Sequence, residues 1–258
     1  MQLRKSLWLL ALAGFLTACG GEQSAADTAT APLSPSTAPA TAQNDDDGWT
    51  SLFDGETLAG WHKYGGDGEE IGSAWKIMDG AIHLDVSDKD DWQTANGGDI
   101  VSDESFANYE LELEWKIGEC GNSGIIYNVQ ETEDYPYPWM TGPEMQILDN
   151  TCHPDAEIVT HRAGDLYDIQ SVREENVKPA GEWNKVKLVV TPGRVEHWLN
   201  GVQQVVYANT GDDWKAMIAD SKFKEMENWG MFTEGRISLQ DHGDPVWFRN
   251  IRIRELSK

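Results

Sequence analysis

Three stretches gather the residue types that move protons and hold oxygen atoms. "TGPEMQILDNTCHPD" (141–155) carries Glu144, Gln146, Asp149, His153 and Asp155. "HRAGDLYDI" (161–169) carries His161, Arg162, Asp165, Tyr167 and Asp168, and "GRISLQDHGDPVWFRNIRI" (235–253) carries Gln240, Asp241 and His242. Carboxylates and imidazoles serve general acid–base catalysis, and amides or imidazoles donate to an oxygen that gains charge in a transition state. Asp149, His153 and Asp155 could together hold a divalent cation, although loops of this composition also form plain Asx-turns. Each histidine taken singly also fits a hydrogen-bonded structural role. Signatures of metal or nucleophile chemistry are absent: there is no HExxH, CxxC, GxSxG or P-loop. No Glu is followed two positions later by Asp, which removes the ExDxxE motif of one large group of jelly-roll glucanases. Paired-carboxylate glycosidase chemistry stays open, because Glu and Asp are plentiful.

Strands must position these groups, because the hydrophobic pattern repeats every two residues. "NYELELEWKI" alternates Tyr109, Leu111, Leu113 and Trp115 with Glu110, Glu112, Glu114 and Lys116. "TGPEMQILDN" sets Glu144 and Gln146 on one face and Met145 and Ile147 on the other, with Asp149 at the strand end. Gln240 and His242 likewise share a face. Such polar rows face either water or a groove, and parity alone does not choose. "WNKVKLVV", "RVEHWLNG", "VQQVVY" and "VWFRNIRI" are further runs bounded by Gly, Pro, Asn or Asp. Asn200-Gly201 predicts a type I′ hairpin turn, and "SLFDGETLAGWH" and "WKIMDGAIHL" predict strands with Asp-Gly turns. One helix is expected over "DDWKAMIADSKF", capped by Asp212 or Asp213, with Trp214, Met217, Ile218 and Ser221 on one face. Many short strands and one short helix argue for an all-β antiparallel sandwich or jelly roll.

The chain begins "MQLRKSLWLLALAGFLTACGG", with a basic start and an apolar run too short to suit a bilayer span. "LTAC" resembles a bacterial lipobox, so residues 1–18 are expected to be a lipoprotein signal peptide and Cys19 the lipidated residue. That reading implies a protein of the cell envelope, held by its lipid, with Gly20 favouring the outer membrane. An ordinary signal peptide is the alternative. Residues 19–48 lack aromatic side chains and read as a disordered tether. Residues 49–258 suit one domain and hold every tryptophan except Trp8. With 44 Asp+Glu against 20 Lys+Arg, a formal charge of −24, nucleic acid and anionic membrane surfaces are disfavoured partners. Abundant tryptophan in an exported domain is a weak pointer to carbohydrate. Cys120 and Cys152 are expected to pair, as cysteines of exported proteins commonly do.

The segments "WTSLFDGETLAGWH", "GNSGI", "TGPEMQILDN", "HRAGDLYDI", "WNKVKLVV", "HWLNG", "SKFK" and "GRISLQDHGDPVWFRNIRI" follow one another as in the 3-keto-disaccharide (3-keto-glucoside) hydrolase family, which this domain resembles from about Trp49 to Glu255. The resemblance implies a concanavalin A-like jelly-roll sandwich of two antiparallel sheets. It also implies a substrate glycoside oxidised at C3 and an oxidoreductase partner that supplies it. The chain departs from the family at Asn128, where arginine is common. The implied chemistry is removal of the acidified C2 proton, enolate formation at C3–O, β-elimination of the C1 aglycone, and hydration. Under it, Glu144 or His161 would be the base, with His242 or Gln146 donating to the enolate. Asn122, Asp149, Asp168 and Gln240 would contact substrate, Asp149 alternatively orienting a histidine or bracing its loop, and Trp139 and Tyr167 would be stacking platforms, with core packing as their alternative. Whether a divalent metal assists is open. The competing readings are a tethered carbohydrate-binding module, which would bind without turnover, an ordinary two-carboxylate glycosidase, which would cleave unoxidised glycosides, and a structural envelope lipoprotein.

Overall fold

The computed structural model describes residues 47–66, 70–90 (of Asp90 the backbone only) and 92–257. The expected signal peptide, Cys19 and nearly all of the tether lie outside the described residues.

Fifteen strands follow in chain order: β1 (Thr50–Ser51), β2 (Trp61–Lys63), β3 (Trp75–Met78), β4 (Ala81–Leu84), β5 (Lys89–Asp90), β6 (Gln93–Thr94), β7 (Ile100–Ser102), β8 (Tyr109–Ile117), β9 (Asn122–Val129), β10 (Glu144–Leu148), β11 (Asn184–Thr191), β12 (Arg194–Leu199), β13 (Val202–Tyr207), β14 (Arg236–Leu239) and β15 (Val246–Glu255). The larger sheet runs β13-β12-β11-β8-β15-β4-β3, with β1 also on β15. The smaller runs β10-β9-β14-β7-β2, and β5 and β6 form a separate ribbon. The strand pairings are antiparallel, giving the concanavalin A-like jelly-roll sandwich.

The alternation in β8 explains the larger sheet. Leu111, Leu113 and Trp115 point into the core, while Glu110, Glu112 and Glu114 face outward. There the register brings Arg254, Arg252 and Arg249 of β15 opposite them. Arg252 Nη2 donates to Glu112 Oε2 at 2.6 Å, and Arg249 Nε to Glu114 Oε2 at 2.8 Å. The smaller sheet supplies the other half of the same apolar core through Ile125, Tyr127, Met145 and Ile147. Unlike β8, strands β9 and β10 are buried on both faces. The free edge of β10 is covered by residues 164–167: Gln146 N donates to Asp165 O at 3.1 Å, and Tyr167 N to Glu144 O at 3.1 Å.

The Asn200-Gly201 hairpin forms as expected, with φ of 49° and 83°. Helix α1 spans Gly211–Ala219 and differs in its start from expectation. Its N-cap is Thr210, and Asp212 and Asp213 lie in the first turn, where they favour the helix dipole instead of capping it. Ser221 falls beyond the helix. Its hydroxyl accepts from Phe223 N at 3.1 Å and opens a separate 3-10 turn, Lys222–Glu225. Cys120 and Cys152 form a disulfide with Cα atoms 5.0 Å apart. It ties the turn after β8 to the loop after β10.

Candidate functional site

A cleft of about 390 Å³ lies against the smaller sheet. Its floor comes from strand parity. With Met145 and Ile147 fixed in the core, Glu144 and Gln146 must project to the opposite side, and both line the cleft. Across the ladder Gln146 pairs with Gly124 of β9. A Cβ on Gly124 would lie 2.0 Å from Glu144 Oε1, so only glycine leaves room for that carboxylate. Asn122 from the start of β9, and Gln240 and His242 from the segment after β14, complete the polar lining. Ser123 Oγ donates to Gln240 O at 2.8 Å and holds the two strand ends in register. Trp139, Tyr167, Phe223 and Met226 supply apolar walls, with Trp92 at the mouth and Lys222 as a cation.

Glu144 is buried, and burial lifts its pKa to about 8, opposed by Lys222 and aided by Asp99 and Asp155. A carboxyl group in that range is a stronger base than an ordinary glutamate and still titrates near neutrality. The Gln146 amide fits its neighbours with its nitrogen donating to Ser123 O at 3.0 Å and to Glu144 Oε1 at 2.9 Å. Both N–H bonds are therefore used. Gln146 thus holds the Glu144 carboxyl group from the neighbouring position of the same strand face. Burial draws the Lys222 pKa down, against the pull of Glu144 and two aspartates, and its Nζ lies 3.9 Å over the Tyr167 ring. His242 is held below the ordinary histidine value mainly by burial, so its imidazole is neutral at pH 7. Gln240 is 6% exposed, and its Oε1 has no hydrogen-bond partner. An unpaired buried carbonyl lining a cleft is a ready acceptor for a substrate hydroxyl.

Three expected site residues are not among those lining the cleft. His161 is buried, with Nε2 3.0 Å from Asp168 Oδ1 and its ring packed 4.2 Å from Tyr167. It packs against Tyr167 and Asp168 and is not among the residues lining the cleft, whereas Glu144 is. Asp168 accepts from Lys222 N at 2.8 Å through its second oxygen and fastens the 222–225 turn to the 161–170 segment. Asp149 accepts from Thr151 N at 3.0 Å and from Cys120 N at 2.9 Å. It braces the disulfide loop, as its opposite parity to Glu144 requires. Asn128 has a positive φ of 56° and donates to Phe232 O at 3.0 Å, a structural role within the irregular pairing of β9 and β14.

The expected cation set of Asp149, His153 and Asp155 is not assembled. His153 Nδ1 instead accepts from Asp155 N at 3.1 Å and caps the Pro154–Glu157 turn. Among the described residues the one cluster with ligand spacing is Cys120, Asp149 and Cys152, and its two sulfurs are bonded to each other.

Trp92, Lys222, Phe223 and Met226 were not expected here. Lys222 and Phe223 stand in "SKFK", a segment that carried the resemblance, but nothing local reveals that this turn folds against Glu144.

Residues 48–254 match the family model described as the 3-keto-alpha-glucoside-1,2-lyase-like domain. A 3-keto-disaccharide hydrolase of Bacteroides thetaiotaomicron is 39% identical over 234 residues, covering 82% of this chain and 80% of that protein. A candidate glycosyl hydrolase of Parabacteroides distasonis superposes with a TM-score of 0.72 at 32% identity, covering 82% of this chain and 95% of that one. A second protein of that description and organism gives 0.59 at 25% identity, covering 81% and 99%. The cleft with its buried glutamate therefore sits in a member of the 3-keto-alpha-glucoside-1,2-lyase-like family.

Proposed function

We propose that this protein cleaves glycosides whose sugar carries a ketone at C3, by elimination followed by hydration. The observation that carries the reading is the solitary carboxylate: among the described residues lining the cleft, Glu144 is the single acid, and its pKa is lifted to about 8. A two-carboxylate glycosidase needs a second acid across the scissile bond. An elimination needs one base near neutral pKa and positive charge for the enolate, and Glu144 with Lys222 answers that need.

In this mechanism Glu144 takes the proton from C2, and electrons flow through C2–C3 to give an enolate at the C3 oxygen. The Lys222 ammonium and the His242 N–H stabilise that oxygen. The C1–O bond then breaks with its electron pair leaving on the aglycone oxygen, which receives the proton held by Glu144. Water adds across the resulting C1–C2 double bond, so the net reaction is hydrolysis. Positioned acid–base catalysis of this kind contributes roughly 10²–10⁴-fold. The ketone is the product of a C3 oxidation, so a carbohydrate oxidoreductase acts beforehand.

The test compares an α-glucoside with its 3-keto derivative, with and without a chelator. Release from the keto form alone, slowed when C2 carries deuterium, is the expected result. Equal cleavage of the unoxidised glucoside would overturn the 3-keto reading, and cleavage indifferent to C2 deuteration would overturn elimination as the slow step. Loss of activity on chelation would show that a cation takes part.

A further inference from the structure

Strands β5 and β6 form a ribbon outside both sheets. Trp92 lies in the turn between them, 37% exposed, at the mouth of the cleft. Its ring meets Tyr137 edge-on at 5.6 Å and His242 at 6.2 Å. Tyr137 in turn stacks on Trp139 at 5.3 Å with an interplanar angle of 9°. Three rings thus continue the cleft wall outward, and the outermost indole is partly bare to solvent, where a flat apolar surface can stack on a ligand.

What holds the indole there is the residue between Gln240 and His242. Asp241 has opposite parity to these two and turns its carboxylate into the protein, fully buried. It accepts from Thr94 N at 3.0 Å, Thr94 Oγ1 at 3.0 Å, Gly98 N at 2.8 Å and Gly243 N at 2.8 Å. Its own carbonyl accepts from Gln93 Nε2 at 3.3 Å. A Cβ on Gly97 would lie 2.3 Å from Asp241 Oδ2, so the ribbon's base closes around the carboxylate. The ribbon and the segment bearing Gln240 and His242 are therefore locked together through one side chain.

We propose that the ribbon is a specificity arm. In it Trp92, with Tyr137 and Trp139, forms a subsite that stacks on a ring in the leaving-group half of the substrate, a second pyranose or an aryl group. Asp241 is the positioning residue that sets where the indole stands. This rests on the glycoside-cleaving reading above. Glu144 is 6% exposed and Trp92 37%, so a sugar whose C2 meets Glu144 sits inside the cleft and its departing group points toward the mouth, where Trp92 is.

Two readouts test it. In turnover, the kcat/KM ratio for a 3-keto-α-glucosyl-glucose disaccharide over methyl 3-keto-α-glucoside should fall about tenfold or more in Trp92→Ala. It should fall in the same direction in Asp241→Asn, with Trp92→Phe recovering most of it. Equal proportional losses on both substrates would overturn the subsite. In binding, calorimetry with the unoxidised disaccharide and methyl α-glucoside should give the wild type a preference for the disaccharide that Trp92→Ala loses. An unchanged preference in Trp92→Ala would also overturn it. A preference that depends on Trp92, in a protein that cleaves neither keto substrate, would keep the subsite and sink the proposed reaction. Trp92 is exposed, so its variant stands even if Asp241→Asn fails to fold.

Discussion

Strands β8 and β10 carry the same kind of alternation and use it for opposite ends. On β8, Glu110, Glu112 and Glu114 face outward into a row of arginines and lysines, and Arg252 and Lys185 overcome partial burial to hold Glu112 below the usual carboxylate range. On β10, Glu144 faces a half-enclosed cleft, where burial outweighs Lys222 and lifts its pKa to about 8. The residue type and the period are shared. What differs is the opposite side: solvent and guanidinium groups for β8, aromatic walls for β10. A carboxylate in water with a cation partner is spent on solubility and register, whereas one withdrawn from water becomes a base.

The contrast breaks first at the two glutamates themselves. Glu144→Gln should lower kcat/KM on a 3-keto-glucoside by about 10²–10⁴-fold. Glu112→Gln should leave turnover within about twofold and cost under about 1 kcal/mol in a urea melt, its pairs being partly solvent-screened. Comparable losses in the two variants would erase the distinction.

The next largest effect concerns the cation. Lys222 favours the ionised form of Glu144, so Lys222→Met should raise the Glu144 pKa further. The rising limb of the pH–rate profile, at about pH 8 in the wild type, should move to higher pH, and the plateau should drop by about 10²-fold. A profile that kept its limb would separate Lys222 from the base.

Gly124→Ala sharpens the comparison from the backbone side. The added methyl would meet the carboxylate and displace it, so a loss of about tenfold is expected with the fold retained, measured by rate and circular dichroism.

The smallest effect is on stability. The folded-state pKa of Glu144 lies above its unfolded value of 4.5, so its neutral form stabilises the fold fully below pH 4.5. That contribution is lost as pH rises to and through about 8. The Gln variant has no such loss, so its Tm relative to wild type should climb by a few degrees between pH 5 and 8.5. Burial also lifts Asp99 and Asp165 to about 7 each, giving slopes of the same sign in both proteins, so the difference between the two curves is the quantity to read. A difference independent of pH would mean that Glu144 titrates as an ordinary glutamate.

Much of this was legible in the chain. The period of two in "NYELELEWKI" and the Asn200-Gly201 turn announce the sandwich, because side-chain direction in a strand follows from backbone geometry alone. The same parity places Glu144 with Gln146 and Gln240 with His242. Parity says nothing of His161 and Asp168, which lie in an irregular segment and are not among the residues lining the cleft. It was silent on Lys222 and Trp92, whose positions depend on a 3-10 turn and a ribbon that pack from distant parts of the chain.

The amino-acid order alone therefore determined which residues share a face and which turns reverse the chain, since these depend on local geometry, and its ordered segments carried the family resemblance. Only the tertiary structure decided that one polar row meets water and another a cleft. It also decided that Gln146 serves Glu144, and that a lysine and an indole close the site. Those outcomes depend on what lies across the gap, and burial and charge at a point are set by neighbours that the chain brings together only on folding.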